Sequence, residues 1–282
     1  MGTLQRARAV TEDDVRRALD VVIDPELDEP ITDLGFVRSV SITAAADGAR
    51  VEVHLRLPTS FCSPNFAYLM ASDSKDALVA LSGVEEVVVE LDDHHDSNII
   101  NRGLAADAGY RGTFLHEADK DLDELRATFR RKAHTAAMER ALTALLRSQP
   151  DLHESEVGGV LIGELPADAT TEALLKRRTA VGLGNHPTAA VLVDEHGVGY
   201  PHDQVPMALR RARSTRISVD GNAHFCRGLL ATRYPGADQD QTTRPDAAFF
   251  SAESLFTQPD HPGDHSSDHS DENPDHPQEQ TA

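Results

Sequence analysis

The chain has 282 residues, 39% of them hydrophobic, enough for two modest domains or one domain with long appendages. Its formal net charge of −20 repels phosphate backbones and argues against nonspecific nucleic-acid binding. Two cysteines, Cys62 and Cys226, are too few for a disulfide framework, the opening MGTLQRARAVTEDD holds no apolar signal segment, and no run nears the ~18 to 20 apolar residues of a membrane span. The expectation is a cytoplasmic protein that does not enter the membrane.

In chain order, Thr11-Glu12-Asp13-Asp14 ahead of Val15, Ala18, Leu19 and Val22 is a capped start followed by apolar residues at helical spacing, and predicts a helix over 11–23. Asp24-Pro25-Glu26 ends it, because proline disfavours helix in the residue before it. A loop through Ile31-Thr32-Asp33-Leu34-Gly35 leads into 36–42, which alternates as a strand does. Asp47-Gly48 marks a hairpin turn, and Val51, Val53, Leu55 and Leu57 form a second strand ending at Pro58. Residues 65–81 read as a helix and 84–91 as a third strand. The fold class is α/β (α+β), with residues 1–92 forming a small α-β-β-α-β domain around a mixed sheet.

Residues 93–235 form a second, mainly helical α/β region. Leu122, Leu125, Phe129, Ala133, Ala136, Leu142 and Leu145 recur at helical spacing and predict a long amphipathic helix over 119–148. Residues 157–162 and 189–193 read as short buried strands, and 172–181, 206–213 and 223–234 as helices. From Gly236 to Ala282 eleven carboxylates face the single Arg244, a local charge of −10. Residues 236–282 are therefore expected to be a disordered acidic tail, in which only Phe249-Phe250 and Leu255-Phe256 are suited to packing.

Cys62 lies in the turn from the second strand into the second helix, with Pro64 suited to the first helical turn. A thiol at a helix N-terminus feels the positive end of the dipole, which favours the thiolate, the form that binds metal or attacks. A small buried hydrophobe is the alternative fate of an isolated cysteine. If the loops carrying Asp24, Glu26 and Asp33 converge on it, one sulfur and two or three carboxylates make a mixed set suited to iron or zinc; otherwise these acids are turn residues.

Asp24-Pro25-Glu26, then Ile31-Thr32-Asp33-Leu34-Gly35-Phe36-Val37, the hairpin, 57–62 and the closing Val87-Val88-Val89-Glu90-Leu91 strand resemble, in order and spacing, the small iron-sulfur assembly domain family that includes SufT and PaaD. The likeness covers about 11–92. It implies a cytoplasmic accessory protein that matures iron-sulfur or iron-dependent enzymes without turnover of its own. Cys62 is then the central functional residue, with Asp24, Glu26 and Asp33 beside it, handling iron or a transient iron-sulfur cluster. The implied partners are a client metalloenzyme or other assembly proteins. In its long form the chain resembles accessory proteins of bacterial multicomponent diiron monooxygenases. Around the cysteine the pattern departs from the family's: Pro58 follows Leu57, Thr59 is displaced by one position, and Ser63 separates Cys62 from Pro64. Thr59 is thus a weaker candidate.

Other residues carry possible chemistry. Asp92-Asp93-His94-His95-Asp96 offers a histidine with a carboxylate for metal, or is a solvated loop. His116-Glu117 adds further ligands, and His134 is expected on the polar face of the long helix. His224-Phe225-Cys226 holds the other sulfur, either in the core or meeting Cys62 across a domain or dimer interface. A cluster usually takes four sulfur ligands, so one held here would be transient, shared in a homodimer or completed by non-protein ligands. Arg210, Arg211, Arg213 and Arg216 are suited to docking an acidic partner or pairing with the chain's own carboxylates. Asp260-His261, Asp264-His265, Asp268-His269 and Asp275-His276 suit weak divalent-metal capture, so metal storage is one alternative function. A thiol-dependent enzyme using Cys62 with His54 or His94 as base is another, although no third orienting residue is identifiable. Val181-Gly182-Leu183-Gly184-Asn185 lacks the residues of a phosphate loop, which argues against ATP-driven action.

Overall fold

Helix α1 (Glu12–Leu19) begins on a capping box: the Thr11 hydroxyl accepts from the Asp14 amide, and the Asp14 carboxylate accepts from the Thr11 amide. The computed structural model describes residues 9–115 and 122–242, so His116-Glu117 and the acidic tail beyond Thr242 lie outside the described residues. The helix is shorter than its apolar spacing predicts. Residues 20–22 leave the helix as turn and loop, and the two-residue strands β1 (Ile23–Asp24) and β2 (Glu29–Pro30) pair antiparallel across the Asp24-Pro25-Glu26 turn, β1 taking Ile23, the last residue that reads as helix.

The main sheet has three strands in the order β3 (Val37–Ala44), β4 (Ala49–Arg56), β5 (Val84–Asp92). The hairpin pair β3–β4 is antiparallel and β4–β5 is parallel, joined by the crossover helix α2 (Pro64–Val79), so the sheet is mixed as its sequence predicts. On β4, Ala49, Val51, Val53 and Leu55 point into the core beneath α1 and α2, while Arg50, Glu52 and His54 lie on the other face. Gly48 has no room for a side chain: a Cβ there would sit 2.7 Å from the Gly83 carbonyl oxygen. Short helices α3 (Ser97–Ala105) and α4 (Gly109–Phe114) close this region.

The remaining described residues are helical: α5 (Leu122–Ser148), α6 (Ala169–Ala180) and α7 (Val205–Arg233). A second apolar core joins Ala141, Leu142 and Leu145 to Leu174, Val191, Leu192 and Leu209. Residues 157–162 and 189–193 are not strands but single turns of 3-10 helix and isolated bridges, Leu161 to Ala190 and Val193 to Gly199. A short apolar run does not by itself distinguish a strand from other buried chain, and Gly158 lies against Val205, leaving no room for a Cβ. The helices read at 206–213 and 223–234 are one helix, α7. Asp220, in the Asp-Gly-Asn stretch that reads as a break, is held inside it by Arg140 of α5 and Arg216 one turn earlier.

Two of the four arginines pair with the chain's own carboxylates: Arg213 and Arg216 both reach Glu139, which is fully buried on α5, and Arg213 also reaches Glu154. His134, expected on a polar face, is 4% exposed. Helix α5 is covered by α6 and α7, which leaves it little polar face to offer. Burial, with the positive charge of Arg178, pushes the His134 imidazole down to about 4. No helix among the described residues is long and apolar enough to cross a membrane.

Candidate functional site

Cys62 sits half-buried in the turn between β4 and α2, one residue before the helix N-cap, Ser63, with Pro64 in the first turn. Ser63 makes no side-chain cap; its carbonyl accepts from the Phe66 and Ala67 amides. The Thr59 hydroxyl oxygen lies 3.3 Å from the Cys62 sulfur and accepts from the Phe61 amide, which leaves its proton free to point at the sulfur. Displaced by one position in sequence, Thr59 nonetheless lies within hydrogen-bond range of the thiol. Phe61 is 80% exposed and stacks on the exposed ring of His95.

His94 is buried and holds this turn together. Its Nδ1 accepts from the Asp96 amide at 3.1 Å, which places the proton on Nε2, and Nε2 donates to the Cys62 carbonyl at 2.9 Å. Both ring nitrogens are used by the loop. His54 is tied to Asp92 at 2.9 Å and Glu52 at 3.3 Å, and the Asp92 bond raises its imidazole above the usual range. Both histidines that suit a base thus have their ring nitrogens on groups other than the Cys62 sulfur.

The acidic loop is organised by Asp24, which is buried and accepts from the Glu26 and Leu27 amides at 2.9 Å each. Burial outweighs these bonds and pushes its carboxyl up to about 7. Glu26 is exposed and accepts from Asn222 of α7 at 3.2 Å. Asp33 lines a cavity of about 570 Å³ between this loop and helices α5 and α6, with Pro25, Asp28 and Phe129 among its walls; its carbonyl accepts from Arg227 of α7 at 3.0 Å.

Helix α7 therefore runs along the loops of the first region. Arg227 pairs with the buried Glu29, Leu230 packs at Gly35, Arg233 donates to the Leu57 carbonyl at 3.0 Å, and Tyr234 donates to Asp93 at 3.1 Å. Just ahead of Arg227 lies Cys226, half-buried against the same core as Cys62. Burial, then the charges of Asp24, Cys62 and Glu26, push the Cys226 thiol up to about 12. Asp24, Glu26 and Cys62 thus each act electrostatically on Cys226. His224 is exposed on α7 with its ring against Phe225. Among the described residues, no group of three or more His, Cys, Asp or Glu is arranged to hold a metal ion.

Residues 12–90 match the family model described as "Iron-sulfur cluster assembly protein". An uncharacterized protein of Methanocaldococcus jannaschii, MJ1129, is 34% identical over 95 residues, 34% of this chain and 95% of that relative. The chain belongs to the iron-sulfur cluster assembly family. The family domain contains Cys62, Thr59 and the three acids, whereas Cys226 and its arginine neighbours come from outside it. No solved structure matches the chain. Sequence reasoning missed Arg227 and Arg233, whose signal is two isolated cations in an otherwise apolar helix end, and the positioning role of His94.

Proposed function

We propose that this protein is an accessory maturation factor that loads iron, or a transient iron-sulfur cluster, into an iron-dependent client enzyme. Family membership supports a maturation role, and the observation that carries the finer reading is the setting of Cys62. The thiol stands half-buried at the start of α2, the Thr59 hydroxyl 3.3 Å from its sulfur, while the adjacent Phe61 is open to solvent. A sulfur with few fixed partners and an exposed aromatic neighbour suits cargo that must be released to another protein.

In this reading iron is cargo, and Asp24, Glu26 and Asp33 supply the acidic surroundings that attract it. Residues 1–92 present the cargo and 93–235 dock the client; the chain's long form favours a multicomponent diiron monooxygenase as that client. The protein acts in the cytoplasm, where its thiols stay reduced. The test is iron content and activity of iron-dependent enzymes in cells lacking this protein. Complementation by the wild type restores both and Cys62→Ser restores neither. Full restoration by Cys62→Ser would overturn the reading.

A further inference from the structure

Helix α7 turns its charges inward. Within 214–232 its charged residues are Arg216, Asp220 and Arg227, and the chain itself engages each of them: Arg216 pairs with Glu139 and Asp220, Asp220 also with Arg140, and Arg227 with Glu29. The opposite face, open to solvent, therefore carries no formal charge over about five turns, where a surface helix ordinarily carries most of its own. It exposes Ile217, Phe225 and Leu229 instead, Phe225 at 70%. Two glycines share this face, and a Cβ at Gly221 or Gly228 would meet no atom within 4 Å. Nothing among the described residues requires glycine there, although glycine weakens a helix relative to alanine. An uncharged face with an exposed aromatic and room left at two positions has the composition of an interface core.

The spacing on this face points to its occupant. Ser214, Ser218, Gly221, Phe225, Gly228 and Thr232 recur at alternating steps of four and three, the seam of a two-helix coiled coil. A second α7 lying antiparallel, on a two-fold axis level with Ala223, meets this seam in layers: Ser214 against Thr232, Ser218 against Gly228, and Gly221 against Phe225. The bulkiest side chain, Phe225, thus falls opposite Gly221 of the other copy, whose missing side chain leaves the hole for it. Ile217 and Leu229 come level on opposite edges and cover the seam. The ends match in charge. Arg210 and Arg211 are exposed and make no ion pair among the described residues; the antiparallel order brings them to the C-terminal end of the second helix, with its negative dipole end and the exposed Asp238 that follows it.

We propose that the outer face of α7 is a dimerisation surface, on which a second copy of this chain packs antiparallel through Gly221 and Phe225. The inference goes beyond the maturation role and does not depend on what Cys62 carries. The loops of the family domain hold the other side of α7, through Arg227 and Arg233, and leave this face open. Two chains of net charge −20 repel at long range, and a seam about 27 Å long is small for a permanent interface, so the dimer is reversible.

Sedimentation velocity of the full chain over a concentration series, at ~0.15 M salt to screen the repulsion, tests this. The wild type should pass from monomer to dimer as concentration rises; a chain that stays monomeric throughout would overturn the proposal. Gly221→Leu fills the hole that Phe225 needs and should weaken association ~10-fold or more. Its helical content by circular dichroism should be unchanged, because a Cβ at 221 has open space in the single chain. Association untouched by Gly221→Leu would sink the proposed face. Exchanging knob and hole reads the pairing itself: Gly221→Leu combined with Phe225→Ala moves the bulk to the other member of each 221–225 layer and should restore most of the association. A double variant that keeps its fold and dimerises no better than Gly221→Leu alone would overturn the antiparallel register.

Discussion

Strand β4 and helix α5 bury comparable apolar stretches by different means. In β4 the period of two sends Ala49, Val51, Val53 and Leu55 inward and leaves Arg50, Glu52 and His54 on the open face, where they pair with Glu86 and Asp92. In α5 the buried set includes Ala133, His134, Met138, Glu139 and Leu142, because neighbouring helices cover more than one side. A sheet with one covered face sorts charge outward. A helix packed on two sides takes charge inward and must satisfy it there, as Glu139 is by Arg213, Arg216 and Thr143.

The comparison breaks if the buried charges of α5 are dispensable. Glu139→Ala leaves Arg216 largely buried without one of its carboxylates and should lose about 3–5 kcal/mol in urea unfolding; a loss below about 1 kcal/mol would show that the network does not hold α5 to α7. His134 sharpens it. Its folded pKa, about 4, lies below the ordinary value of 6.5, so its contribution is intact above pH 6.5 and is lost as pH falls toward 4. Over that window stability should drop by on the order of 2–3 kcal/mol, and His134→Leu should flatten that part of the pH profile. In the sheet region the corresponding weak point is steric: Gly48→Ala drives a Cβ to 2.7 Å from the Gly83 oxygen and should cost about 1–3 kcal/mol, read as a lower denaturation midpoint at unchanged slope.

The same contrast explains what was legible in the sequence. The capping box at Thr11, the Asp47-Gly48 turn and the alternation of β4 are local signals, and each forms as read. The placing of Cys62 ahead of α2 was equally local. Residues 157–162 and the continuous α7 depend on contacts with distant helices, as does the burial of His134, and no window of sequence contains them. The approach of α7 to the acidic loop after β1 belongs to the same class: Asn222 and Glu26 are 196 residues apart.

The central claim, that Cys62 handles iron, is tested most directly by purifying the protein without oxygen, reconstituting it with ferrous iron and sulfide, and measuring iron and acid-labile sulfide per chain. The account predicts bound iron in the wild type and its loss in Cys62→Ser, with sulfide lost alongside if the cargo is a cluster. Equal iron in the two proteins would contradict it.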